Sequence, residues 1–174
     1  MNTKVDYCAP TFDVVRDLDS PRPYYWVKRP AAVAIVAVYK GRMALVEQRR
    51  PAVDRQLLEL PAGMVDEDER PLDAANRELR EEIGYRAQSI YQIGEFYMSP
   101  GYSDEVMHLF FATDLVEDPL SRDEGEADMA VLWATGAGVG TLISNGTIMD
   151  AKSLIGAVAF RDAKYLHEQQ SLVI

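Results

Sequence analysis

Three glutamates, Glu78, Glu81 and Glu82, follow directly on Arg77. At about 3.6 residues per helical turn, Glu78 and Glu82 share a face and Glu81 lies beside them. Like charges at that spacing repel one another, and a helix carrying them is mildly destabilised unless a cation offsets the charge. Hard divalent cations take oxygen ligands, keep several waters, and are commonly held by carboxylates together with a substrate's phosphates. Taken alone, the cluster has two readings: a magnesium site presented on a rigid helix, or a solvated acidic face, which is the more frequent origin of such runs.

The surrounding pattern supplies the elements that must position it. Pro71 suits a first helical turn, where its missing N–H costs nothing. Leu72, Ala75, Leu79 and Ile83 recur at helical spacing, and Gly84 stands where a C-cap falls. Upstream, Ala62, Gly63 and an acidic turn make the approach a loop. The run Ala31–Tyr39 is apolar and rich in β-branched residues, as a strand covered on both faces would be. Lys40 to Arg42 supplies a turn into a returning strand, Met43–Glu47. Leu57–Leu60 is a short apolar stretch that stops at Pro61. Two further strands, Ser89–Met98 and Glu105–Ala112, flank a turn at Ser99, Pro100 and Gly101. Asp114–Asp128 reads as polar and irregular, and Met129–Trp133 as strand. Gly136, Gly138 and Gly140 have a G-x-G-x-G spacing that misses both the dinucleotide and the Walker patterns, so they read as a flexible connection. Ala151–Leu166 is a terminal helix with Leu154, Ala157, Val158 and Tyr165 on its apolar side. Residues 1–30, broken by four prolines, form an N-terminal extension of short strands ending in Tyr24, Tyr25 and Trp26. The whole is an α/β layered domain.

At 174 residues and 48% apolar composition, the chain has enough material for one well-buried core. A net charge of -10 argues against nonspecific binding to nucleic acid or an anionic membrane, so neither is expected as a partner. Cys8 is the only cysteine, no secretory pattern opens the chain, and the expected location is cytoplasmic.

Written out, the acidic helix and its approach are Gly63, five residues, Glu69, seven residues, then Arg77-Glu78-Leu79-Arg80-Glu81-Glu82-Ile83-Gly84-Tyr85. This resembles the box of the Nudix hydrolases, G-x5-E-x7-R-E-U-x-E-E-x-G-U, at every fixed position. Tyr85 alone departs mildly, an aromatic residue where an aliphatic one is usual. The resemblance implies a mixed β-sheet sandwiched between α-helices over residues 31–174, with the box as loop-helix-loop. It further implies hydrolysis of a nucleoside diphosphate linked to another group, with Mg²⁺ or Mn²⁺ as cofactor. Glu78 and Glu82 are then the principal metal ligands, Glu81 an auxiliary one, and the Ala62 carbonyl a further ligand. Gly63, Glu69, Arg77 and Gly84 are the structural members.

Pro100, fifteen residues beyond Tyr85, resembles a marker of the ADP-ribose pyrophosphatase branch, whose similarity covers most of the chain. That branch implies ADP-ribose as substrate, split to AMP and ribose 5-phosphate, and a homodimer in which residues 1–30 take part. Arg50 and Arg29 then reach the phosphates, guanidinium being suited to bidentate donation. Glu105 faces a ribose hydroxyl, and Trp26, Tyr24 or Tyr25 offers a flat surface to the base. The general base is expected on the loop Ser121–Met129, Glu126 first and Glu124 second. Two alternatives stay open: a hydrolase of GDP-mannose or another nucleotide sugar, and a ligand-sensing or RNA-binding domain without turnover.

Overall fold

The computed structural model describes residues 2–121 and 129–170, with 164–170 as backbone alone. Strands β1 (Thr3–Ala9), β2 (Phe12–Asp17) and β3 (Tyr24–Lys28) form an antiparallel sheet of their own. The main sheet contains β4 (Ala32–Tyr39), β5 (Arg42–Arg50), β6 (Arg55–Glu59), β7 (Ala62–Met64), β8 (Tyr85–Tyr97), β9 (Val106–Glu117) and β10 (Ala130–Ala134). Its path runs β10-β5-β4-β9-β8, with β6 on β5 and β7 on β4; β4 and β9 are parallel, so the sheet is mixed.

The apolar run of β4 is buried because both of its faces are covered. Ala34 and Val36 pack with Val139 of α2 (Gly136–Ser144) and with Ala157 and Phe160 of α3 (Ala151–Gln170). Val33, Ile35 and Ala37 point the other way, onto Ala74 and Ala75 of α1 (Pro71–Glu78) and onto Leu79 and Ile83 beyond it. Alternation along one strand thus feeds two cores, and the sheet is sandwiched between helices. Among the described residues no helix is long and apolar enough to cross a membrane.

Several local expectations give way. Gly136 to Gly140 is helical, not a flexible connection: the Thr135 side chain caps α2 by accepting from the Gly138 N–H at 3.2 Å, and Val139 is fully buried. Each interior glycine costs a helix about 1 kcal/mol, and the cap together with packing of Val139, Leu142 and Ile143 on the core offsets it. On α3 the core position belongs to Phe160, while Val158 stays exposed. On α1 it belongs to Ala74, while Leu72 is exposed. β9 runs on through Asp114 to Glu117, where Leu115 turns inward beside Ala87 while Asp114 and Val116 on either side of it face out. β8 accordingly starts at Tyr85, directly after the helix. Tyr85 itself packs against Tyr39 and Trp133, with ring centroids 5.4 and 5.7 Å away, a setting that accommodates an aromatic side chain.

Candidate active site

β4 and β5 pair only beside their connecting turn, at Val38 with Met43 and Tyr39 with Arg42. Beyond that, β5 takes β6 as partner and β4 takes β7. The two strands therefore splay, and a cavity of about 600 Å³ opens beside the gap. Gln48 and Arg50 reach it from β5, Glu59 from β6, Ala62 and Gly63 from β7, and Glu78 from the end of α1.

The box helix does not keep a constant pitch. After α1 the chain widens into a π-helical turn, Leu79–Ile83, which Gly84 ends at φ 77°, a left-handed conformation that favours glycine. Glu78 is buried and lines the cavity. Glu82 is fully buried, accepting from the Ala62 N–H at 2.9 Å and from the Gln48 amide at 3.3 Å. Gly63 lies so close to the helix that a Cβ there would stand 1.9 Å from Glu78 Oε1.

Arg77 ties these parts together. Its Nε and Nη2 donate to the two oxygens of Glu69 at 3.1 and 2.9 Å, and Nη2 also donates to the Met64 carbonyl at 2.9 Å. Its Nη1 donates to Glu78 at 2.7 Å and to Glu81 at 2.9 Å. The guanidinium thus braces the approach loop against the helix and gathers two of the three acidic side chains. Hydrogen bonding to Arg77 lowers the Glu69 carboxyl from its ordinary value, and the same bond raises Arg77.

The opposite wall holds a charge network that the sequence did not reveal. Arg50 donates from Nε and Nη2 to the two oxygens of Glu59, both at 2.7 Å. The far oxygen also receives the Lys152 ammonium, which in turn donates to Asp150 Oδ2 at 2.9 Å. Asp150 caps α3 by accepting from the Ser153 N–H, and the Ser153 hydroxyl accepts from the Leu60 N–H at 2.8 Å. Two signals were present: a glutamate inside an apolar strand, and a lysine in a first helical turn, where the helix dipole disfavours cations.

Burial pushes the Glu59 carboxyl up, but hydrogen bonds from Arg50 and the charge of Lys152 outweigh it and hold it at about 2. The folded value therefore lies below the unfolded one, about 4.5. Stability from this group is complete above that value and is lost as pH falls towards 2, by up to about 3 kcal/mol. Urea midpoints measured from pH 6 to 2.5 should fall in this window, and Glu59→Gln should flatten the fall. An unchanged slope in that variant would assign acid sensitivity elsewhere.

Arg29, just past β3, pairs with Glu105 at 3.1 Å, and both line the cavity. Among the described residues, Arg29 Nε and Asp150 Oδ1 are buried without a hydrogen-bond partner. Trp26 lies in a neighbouring, largely apolar pocket of about 420 Å³ with Tyr24, Tyr97 and Pro100. Its indole N–H donates to Asp104 at 3.3 Å, and Asp104 also accepts from the Arg29 backbone N–H at 2.9 Å. Asp104, unnoticed in the sequence, joins the aromatic strand to the Ser99–Glu105 turn. Tyr25 lies under the Arg16 guanidinium, not in that pocket. Glu124 and Glu126 lie outside the described residues.

Among the described residues no three histidine, cysteine or acidic side chains form a ready cation cage. Glu78 and Glu81 converge on Arg77, and Glu82 turns to the Ala62 N–H. The donor chemistry nonetheless fits a hard divalent ion: the box offers three carboxylates, hard oxygen donors, and the Gly63 backbone leaves just enough room for the one that lines the cavity.

The NUDIX domain model matches residues 28–138. An ADP-ribose pyrophosphatase of Bacillus subtilis (strain 168) is 38% identical over 130 residues, covering 73% of this chain and 70% of the relative. A GDP-mannose pyrophosphatase of Yersinia enterocolitica is 30% identical over 157 residues, covering 83% and 82%. A crystal structure of an ADP compounds hydrolase superposes with a TM-score of 0.82 at 25% identity, covering 97% of this chain and 94% of that one. The chain belongs to the Nudix family. It is a Nudix pyrophosphohydrolase, of a family that generally needs a divalent metal.

Proposed function

We propose that the protein hydrolyses the diphosphate bond of ADP-ribose, yielding AMP and ribose 5-phosphate with Mg²⁺ or Mn²⁺ as the ion. One observation carries the reading. Gly63, Arg77 and Glu78 of a complete Nudix box line the same cavity as Arg29, Arg50 and Glu105, and Asp104 links Arg29 to an aromatic pocket of a size to take a base. Glu78, Glu81, Glu82 and the Ala62 carbonyl would hold the ion, which supplies neutralisation of the diphosphate and a water of lowered pKa. Arg29 and Arg50 donate to the phosphate oxygens, Arg50 from the Nη1 that Glu59 does not engage. Glu105 accepts from a ribose hydroxyl, and Trp26 with Tyr24 packs on the adenine. Glu126, or else Glu124, takes the proton of the attacking water, whose oxygen joins one phosphorus while the bridging oxygen leaves with the other.

The Yersinia relative's name favours GDP-mannose as the second reading. The experiment is a panel of nucleoside diphosphate sugars with Mg²⁺ or Mn²⁺, following products by chromatography. Release of AMP from ADP-ribose at the highest kcat/KM is expected; faster cleavage of GDP-mannose would replace ADP-ribose as the assigned substrate, and no metal-dependent cleavage of any would defeat the reading.

The protein is further proposed to work in the cytoplasm as a homodimer built through residues 1–30. Their sheet exposes Val5, Tyr7 and Phe12, apolar surface that a second copy would cover. Sedimentation as a monomer at micromolar concentration would defeat the dimer.

A further inference from the structure

Arg50 is nearly half exposed, yet its guanidinium is committed on one edge to Glu59, which is only 2% exposed. A buried carboxylate with a single cationic partner draws that partner inward, because nothing else compensates its lost hydration. Here a second cation shares the task. Lys152, in the first turn of α3 and itself buried, places its ammonium on the same Glu59 oxygen that receives Arg50 Nη2. Asp150 holds that ammonium from behind, and the α3 cap holds Asp150. The fork of Arg50 is thus fixed by its Nε edge, and the remaining Nη1 carries no bond to Glu59.

We propose that Lys152 is a positioning residue for substrate binding: by sharing the charge of Glu59 it keeps Arg50 at the cavity, available to an anionic diphosphate. This rests on the assignment of Arg50 to the substrate phosphates. Lys152 acts through Glu59 and not by touching the substrate. Without it, Glu59 depends on Arg50 alone and the guanidinium is held in the wall, away from the diphosphate.

The test is a double-mutant cycle on the full chain, with ADP-ribose affinity measured by calorimetry in Ca²⁺ and KM and kcat in Mg²⁺. Lys152→Met is expected to weaken affinity and raise KM roughly tenfold, with kcat falling less than about threefold. In a Glu59→Gln background the same substitution should change affinity by less than about twofold, because the group through which Lys152 acts is gone. An effect of equal size in both backgrounds would overturn the proposal, assigning Lys152 to direct contact or to packing. Wild-type affinity in Lys152→Met would overturn it too. If that single variant does not fold by circular dichroism, comparison of Glu59→Gln with Glu59→Gln/Lys152→Met decides: a loss beyond twofold in the double variant overturns the proposal, and equal affinity supports it. Failure of the wild-type protein to bind or cleave ADP-ribose is a separate result, which removes the substrate reading on which this inference stands.

Discussion

Glu82→Gln is expected to leave the protein folded and to lower kcat on the order of 10³-fold, a loss equivalent to about 4 kcal/mol. The substitution preserves shape. A glutamine carbonyl can still accept from the Ala62 N–H, and the new amide can donate to Gln48 once that amide turns its oxygen inward. What disappears is one negative charge, fully buried behind Gln48 and Ala62, which themselves line the cavity. In a neutral protein core that change would be tolerated or even stabilising, since an ionised carboxylate is costly to bury. Retaining the charge makes sense where a divalent ion is to be held, and the loss should therefore appear in turnover and in the Mg²⁺ concentration needed for half-maximal rate, with the melting temperature little changed. Activity within tenfold of wild type would remove Glu82 from the set proposed to hold the ion.

How much of this was legible in the sequence depends on the range of the forces involved. β4 was legible because a strand buried on both faces must be apolar throughout, whatever its neighbours. The box was legible as a resemblance, a fixed pattern of residue types within one short stretch, inside which Arg77 reaches Glu69, Glu78 and Glu81. The helix at Gly136–Ser144 was not, because glycine opposes it locally and only Thr135 and the distant core favour it. The Arg50–Glu59–Lys152 network was not, because Lys152 stands 93 positions from Glu59 and only the packing of α3 on the sheet brings them together. The pairing of Arg29 with Glu105 depends in the same way on the turn at Ser99 folding back onto β3. Local chemistry was readable, and the second wall of the cavity had to be seen.

Gly63→Ala carries the second large effect, and its character is expected to differ from that of an ordinary core insertion. The added methyl would meet Glu78 Oε1 at 1.9 Å, its Cδ at 2.1 Å and Oε2 at 2.6 Å, and these three are the nearest atoms to it. All belong to one carboxylate at the end of a flexible side chain, so the protein can yield by swinging that carboxylate away. Gly63 has no positive φ, so alanine suits the backbone there, and reduced freedom of the unfolded chain even returns about 0.5 kcal/mol. The cost falls on Glu78, which must leave its position beside Arg77 at the cavity wall. A displacement of about 1 Å in a reacting group can cost on the order of 10²-fold in rate. The expected result is a loss of at least that size in kcat with a melting temperature within a few degrees of wild type. Unchanged kcat would show that Glu78 does its work from elsewhere, whereas a collapse in stability would show that Gly63 is needed by the fold and not by the carboxylate pressed against it.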